Sequence, residues 1–580
     1  MTTWEDRFRA PRVSLPEWAE DAPDRCVYSG NVTGTFELYT WDRSTGATTL
    51  ATSRPNGTAD GHPSPDGEWL WWFDDTDGDE HGGWRRQPFF GGAAVEAAPG
   101  VPAGYSAGCE VGRALSVVGV STDDGSSVYV VRPSGTEVLY TSESDAEVAA
   151  LSKDDRLVLI EHSEHGDSRH PALRVLTVDG EVVGDLWDGD GFGLHGVGFD
   201  PSGTLVLALH EKDGRPEPLL WNPVTGEVQR LVVPLAGDLS ADWLVDGSGL
   251  LVVAETRGRA TLHTVTLDGT VTDVGTPDGT VLDATPRPDG TVEYAWSSAA
   301  EPRVIRSTSG AVILEAPAPV APASVPVEDV WVDGPGGPVH ALIGRPAGDG
   351  PVPTVFLVHG GPTAHDGDLF QADRAAYVDL GCAVVQVNYR GSTGYGAAWR
   401  DAIEGRPGLT ELEDLAAVRE WAVSSGLAST CVLTGASWGG YLTLLGLGTQ
   451  PELWSAGVAA VPVADYVAAY EDEMEPLRAF DRSLFGGSPD DVPEVYARCS
   501  PLTYVQDVSV PVLVLAGAND PRCPIRQIDN WLSAADALGK EVEVYRFDAG
   551  HGSLVVEERI RQMRVELAFV AKHVGLPGPA

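Results

Sequence analysis

The sequence predicts a two-domain chain in which an all-β propeller precedes a mostly parallel α/β domain. Three observations carry this expectation. The chain has 580 residues, more than one hydrophobic core fills at about 100–200 residues per domain. Up to residue 315 the text is short β-prone runs cut by Asp-Gly, Ser-Gly and Pro turns. Beyond residue 327, apolar strand-like runs alternate with long helical patterns. The stretch EAPAPVAPASVPV (315–327) between them is rich in Pro and Ala and reads as a linker. The expected division is an N-terminal extension over 1–20, a propeller over 21–315, a linker over 316–327 and an α/β domain over 328–580.

The propeller is expected from a recurring phrase. Pro65-Asp66-Gly67 precedes EWLWWF, Asp154-Asp155 precedes RLVLIEH, and Pro201-Ser202-Gly203 precedes TLVLALH. Gly247-Ser248-Gly249 then precedes LLVVAE, and Pro288-Asp289-Gly290 precedes TVEYAW. From the second example on, these recur about every 40–50 residues, the period of a four-stranded blade. Seven blades fit; six or eight stay open because strands blur near 95–145. A β-sandwich array is the competing reading.

In the second half, TVFLVHG (354–360), CAVVQVNY (382–389), CVLTGAS (431–437), VPVLVLAGAND (510–520) and VEVYRFDAG (542–550) read as buried strands. TELEDLAAVREWAVSSG (410–426) has i, i+3, i+4 apolar spacing and a Gly stop, so it reads as a helix. EERIRQMRVELAFVAKHVG reads as an amphipathic closing helix.

Composition narrows the function classes. With 85 acidic against 39 basic residues the net charge is −46, which speaks against nucleic acid or anionic membrane as a partner. The plain reading is an acidic solvated surface that implies no partner. Cys26, Cys109, Cys382, Cys431, Cys499 and Cys523 are scattered without a CxxC pair, so no disulfide framework or metal-ligand spacing is expected. The start MTTWEDRFRAPR lacks an apolar signal core, and no apolar run reaches the length of a membrane span. A reducing cytoplasm is the simplest compartment. Oligomeric state is not readable, and a homo-oligomer stays open.

The chemistry is concentrated after residue 350. Gly435-Ala436-Ser437-Trp438-Gly439 is a G-x-S-x-G between a strand and an apolar helix, the context of a nucleophile elbow in an α/β-hydrolase domain. The small neighbours permit the sharp turn, and the following helix aims its positive end at developing negative charge. A serine needs a base, and this fold places the triad in the order Ser, acid, His. After Ser437 the histidines are His551 and His573. His551, in Asp548-Ala549-Gly550-His551-Gly552, directly follows a strand; His573 sits in the terminal helix and reads as a surface residue. Asp520 ends the strand run LVLAGAND and is the expected acid, which orients the imidazole and stabilises its cation. Asp548 is the runner-up, too near His551 in the chain to reach around the ring. His359-Gly360-Gly361-Pro362 follows a strand and is an HGG-type loop. Backbone N–H groups of Gly361 and Trp438 would form the oxyanion hole, with His359 structural.

With HGGP, NYRGSTGYG (388–396), GASWGG, AND-x-R and DAGHG in this order, the chain resembles the prolyl oligopeptidase family of serine peptidases. Within it the chain is most similar to the acylaminoacyl peptidases. The specific motifs lie in 325–580, whereas 21–315 agrees only in architecture. The resemblance implies Ser437, Asp520 and His551 as the triad and Gly361 with Trp438 as the hole. It also implies that Arg522 binds the carbonyl of the substrate's second residue, and Tyr395 is a secondary oxyanion donor by the same resemblance. The first 20 residues match the short helix with which such peptidases brace the hydrolase domain. The sequence departs from many relatives in carrying Ala436 before the serine.

The expected reaction is acyl transfer on short peptides or small amides, releasing an N-terminal, acylated residue without cofactor or metal. A free α-amine would want a carboxylate, and Glu471, Asp472, Glu473 and Glu475 in DYVAAYEDEMEP could supply it, though a charge run is usually a solvated face. An aminopeptidase or a hydrolase of an aminoacyl amide such as puromycin is therefore the alternative. An esterase and a catalytically dead interaction propeller are the remaining readings.

Overall fold

The computed structural model describes residues 4–579. From Glu17 to Leu314 the chain forms antiparallel sheets only. Five are separate four-stranded sheets of consecutive strands; a sixth has eight strands, which split by chain order into Gly61–Glu96 and Gly104–Ser142. Together they make seven four-stranded blades. The repeated turns join the first and second strands of a blade. In each the residue at position i+3 closes an i, i+3 hydrogen bond, Gly67 to the Ser64 carbonyl at 2.8 Å, Gly203 to Asp200 at 2.8 Å and Gly290 to Arg287 at 3.0 Å, with Asp155 taking the place of glycine on Ser152 at 2.8 Å. The phrase recurs because each blade needs the same tight reversal. Apolar residues of neighbouring blades meet between the sheets, as where Leu159 and Leu173 pack with Val206, Leu219 and Trp221.

Residues 315–326 are without helix or strand. The second unit is an eight-stranded sheet: β1 (Val327–Gly334), β2 (Gly337–Gly344), β3 (Val352–Val358), β4 (Ala383–Asn388), β5 (Ala428–Ala436), β6 (Ala456–Ala460), β7 (Val512–Gly517) and β8 (Val542–Phe547). Their spatial order is β1-β2-β4-β3-β5-β6-β7-β8, and every pair beyond β2–β4 is parallel. Central strands such as β4 and β7 are buried along their whole length, as parallel strands covered on both faces must be. One face packs Leu412 and Leu415 of the helix Leu409–Ser424 against Phe356 and Leu433. The other packs Ile560 and Leu567 of the closing helix Val556–Val574 against Val432, Val458 and Leu513. A short N-terminal helix, Glu5–Arg9, inserts Phe8 into this second cluster. Arg7 donates to the carbonyls of Pro322 and Ala323 and pairs with Asp379, while Arg9 pairs with Glu557.

The two units dock through many polar contacts. Propeller Asp238 accepts the N–H groups of Gly394 and Gly396 at 2.6 and 3.1 Å. Arg169 holds Asp401 and Glu404 at 2.7 and 2.6 Å, and Glu211 pairs with Arg400. His365 approaches Glu255 at 2.6 Å.

Candidate active site

Ser437 lies where β5 turns into the helix Trp438–Thr449, at φ 57° and ψ −121°. Positive φ in a non-glycine residue stores strain, which the packing must impose. The packing here is tight. A Cβ on Gly435 would lie 2.6 Å from the Val358 carbonyl oxygen, and one on Gly439 would overlap that same oxygen. One on Gly440 would lie 2.6 Å from the Ala460 carbonyl oxygen. The elbow is thus wedged between the ends of β3 and β6, and the Ser437 N–H donates to Ala460 at 2.9 Å. Val461, next along, also has positive φ, 41°, in a β-branched residue. No sequence motif marks it.

The His-Gly-Gly loop after β3 closes over this turn. A Cβ on Gly360 would sit 3.4 Å from the Ser437 Cβ and 3.8 Å from the Trp438 nitrogen. Trp438 is the first residue of its helix, so its N–H has no acceptor within the helix. Its indole Nε1 donates to Glu411 at 3.2 Å. Glu411 is fully buried, and burial pushes its carboxyl up to about 8, so it is protonated at neutral pH. This anchor for Trp438 is absent from the sequence motifs, because Glu411 looks like any acidic residue in the first turn of a helix. His359 is structural: it stacks on Tyr389 at 4.2 Å, and its ring nitrogens meet the Gly360 carbonyl and Ser392 Oγ at 2.8 and 2.9 Å. Burial holds its pKa down to about 4.

His551 Nδ1 lies 3.0 and 2.9 Å from the two oxygens of Asp520. Asp520 is itself oriented by the N–H groups of Arg522 and Cys523, each at 2.9 Å from Oδ1. The runner-up Asp548 instead accepts from Asn519 Nδ2 at 3.3 Å. His573 packs against Phe569 in the closing helix, at 4.5 Å between ring centroids.

The segment bearing His551 is held by the propeller from both sides. Phe36 donates to Leu554 and Val556 donates to Gly34, each at 2.9 Å, around a bridge between Thr35 and Val555. On the other side a Cβ on Gly550 would overlap the Gly78 carbonyl oxygen, so the loop of residues 75–80 touches the backbone next to His551. That loop also delivers Glu80, whose carboxylate accepts from Arg522 Nε at 2.9 and 3.0 Å. A cavity of about 740 Å³ runs here, lined by Glu80, Tyr105, Ala436, Met474, Arg522 and His551 among others.

Two sets of expected site residues are already engaged. The Tyr395 hydroxyl lies 2.6 Å from His340 Nδ1 and accepts from Asn388 Nδ2 at 2.8 Å, which leaves it no free donor for an oxyanion. The acidic run does not offer free carboxylates either. Glu471 pairs with Arg526 at 2.7 Å, and Asp472 pairs with the same guanidinium. Glu475 binds Arg478 at 2.9 Å and Arg482 at 2.6 Å. Glu473 is buried beside Asp481. Burial and the neighbouring acid raise the Glu473 carboxyl well above the carboxylate range, and burial raises Asp481 to about 8.

Fold and site together define the class: an α/β domain with a serine on a nucleophile elbow, docked to a propeller. Residues 370–577 match the model of the prolyl oligopeptidase family. Dipeptidyl aminopeptidase BIII of Pseudoxanthomonas mexicana is 32% identical over 240 residues, 39% of this chain and 34% of that protein. The acylamino-acid-releasing enzyme of Mus musculus is 33% identical over 236 residues, 39% of this chain and 32% of that protein. The chain thus aligns with about a third of the length of these curated relatives. The solved puromycin-hydrolyzing peptidase of Mycobacterium tuberculosis superposes with a TM-score of 0.82 at 20% identity, over 99% of this chain and 96% of the other. At that identity it shows the shared fold.

Proposed function

We propose that the chain is a serine peptidase of short peptides that releases an N-terminal residue, acylated in the leading reading, through an acyl-enzyme on Ser437. The observation that carries this is the His551–Asp520 pair facing a cavity built jointly by the hydrolase and propeller. With Nδ1 held by Asp520, His551 keeps Nε2 to take the Ser437 proton and return it to the leaving amine. Gly361 and Trp438 N–H groups stabilise the oxyanion, and Arg522 donates to a substrate carbonyl. The propeller, clamped against the His551 segment, limits entry to small substrates.

A second reading has its own support. The propeller wall of the same cavity carries the carboxylates of Asp60, Asp75 and Glu80, and a free α-ammonium group entering there would meet them, in competition with Arg54 on Asp75 and Arg522 on Glu80. Rates on acetyl-alanine and free alanine anilides separate the two. Faster turnover of the acetylated substrate supports the leading reading; turnover of the free amine alone replaces it with an aminopeptidase or aminoacyl-amide hydrolase. Equal cleavage of a folded protein and a blocked tripeptide contradicts the size limit.

A further inference from the structure

We propose that His210, Asp213 and Glu217 form a binding site for a divalent cation of the zinc class, on one of the propeller hairpins that touch the hydrolase domain. The hairpin joins the strands Val206–His210 and Glu217–Trp221, in which His210 and Glu217 are directly opposite each other. Opposed residues project from the same sheet face. The turn between them is closed by the Gly214 N–H on the Glu211 carbonyl at 2.9 Å, with Gly214 at φ +85°. One ligand atom from each of His210, Asp213 and Glu217 lies within 4.8 Å of the other two, so a small closure brings all three to bonding distance of one ion.

The observation that calls for a ligand is His210 itself. Its side chain is fully buried, and neither ring nitrogen has a hydrogen-bond partner among the described residues. Leaving buried polar atoms unpaired is costly, and coordination satisfies one of them. Nearby Asp188 pairs with Lys212 at 2.7 Å through Oδ1, and its buried Oδ2 has no hydrogen-bond partner among the described residues. Arg215 engages Glu217 through Oε1 only, and its Nη1 and Nη2 also donate to the Gly237 and Val233 carbonyls at 2.8 and 3.2 Å. Glu217 Oε2 is left for the cation. One imidazole with two carboxylates suits a first-row transition ion such as zinc, and three protein ligands leave a position for water.

The position gives the site a role apart from the proposed hydrolysis at Ser437. The same turn supplies Glu211 to Arg400 and the Gly214 carbonyl to the Ala397 N–H at 2.9 Å. A cation across the hairpin base stiffens this docking arm.

The test is titration of the metal-stripped full-length chain with zinc by calorimetry, and with cobalt by visible absorption. The expected result is one saturable equivalent of micromolar or tighter affinity in the wild type. Asp213→Asn is expected to weaken it by roughly tenfold or more, and His210→Gln to weaken it and remove the cobalt band. Asp213 is exposed, so that variant folds even if His210→Gln does not. Two other clusters, Asp520–Cys523–His551 and His170–Asp401–Glu404, meet the same spacing. Cys523→Ala and Glu404→Gln therefore serve as controls that keep the equivalent. Absence of binding in the wild type overturns the proposal. So does an equivalent that survives Asp213→Asn or disappears with a control.

Discussion

Glu80 of the propeller holds Arg522 of the hydrolase domain by a two-oxygen contact at 2.9 and 3.0 Å, two residues beyond the acid Asp520. The arginine proposed to bind substrate is thus engaged by the other domain. A charge-assisted hydrogen bond is worth about 1.5–3 kcal/mol, so Arg522→Ala should lower kcat/KM by about 10–100-fold, mainly through KM. Glu80→Gln should change acetylated substrates only a few-fold. A loss confined to free-amine substrates in that variant would favour the second reading.

Tyr395 supplies a contrast. Because its hydroxyl serves His340 and Asn388, Tyr395→Phe should leave kcat nearly unchanged while costing about 1–3 kcal/mol of stability, as buried partners lose a bond. A true oxyanion donor would instead cost about 10²–10³ in kcat. Steady-state kinetics beside a urea melt distinguishes them.

Gly550 meets Gly78 so closely that a methyl group cannot fit. Gly550→Ala should push the His551 segment away from its place, and a displacement near 1 Å costs on the order of 10²-fold in turnover. Gly552→Ala, where an added Cβ meets nothing, is the matched control and should be near wild type.

His170 ties the propeller to the hydrolase domain between Asp167, at 3.3 Å, and Asp401, at 3.6 Å, with Arg169 and Arg400 on the same carboxylates or beside them. Its folded pKa is raised to about 9, against the opposition of burial, by Asp167 on Nδ1 and by the Asp401 carboxylate 3.6 Å from Nε2. The imidazolium therefore contributes stability in full below its ordinary pKa near 6.5 and loses it as pH rises through about 9. Urea midpoints should fall between pH 7 and 10, and His170→Gln should remove that component of the slope.

The architecture was legible because its signals are local. Blade turns mostly carry Gly at a fixed offset, parallel strands are apolar throughout, and the elbow at Ser437 needs glycines on both sides. The pairing of Asp520 with His551 followed from chain order and strand ends. What the sequence hid is set by distance in the chain. Glu80 and Arg522 are 442 residues apart, and nothing near either residue names the other. Glu411 and Glu473 read as exposed acids, yet tertiary packing buries both. The acidic run misled for the same reason: Arg526, which neutralises Glu471 and Asp472, lies in a different helix. Tyr395 was placed by resemblance, and its partner His340 comes from β2.

The central claim is that Ser437 is the nucleophile. The direct measurement is labelling of the full-length chain with an active-site fluorophosphonate, read by mass spectrometry of the modified peptide, beside turnover of an acylated anilide. The account predicts one adduct on Ser437, no labelling of Ser437→Ala, and loss of turnover on the order of 10⁶-fold in that variant. Labelling or turnover that persists in Ser437→Ala would contradict it.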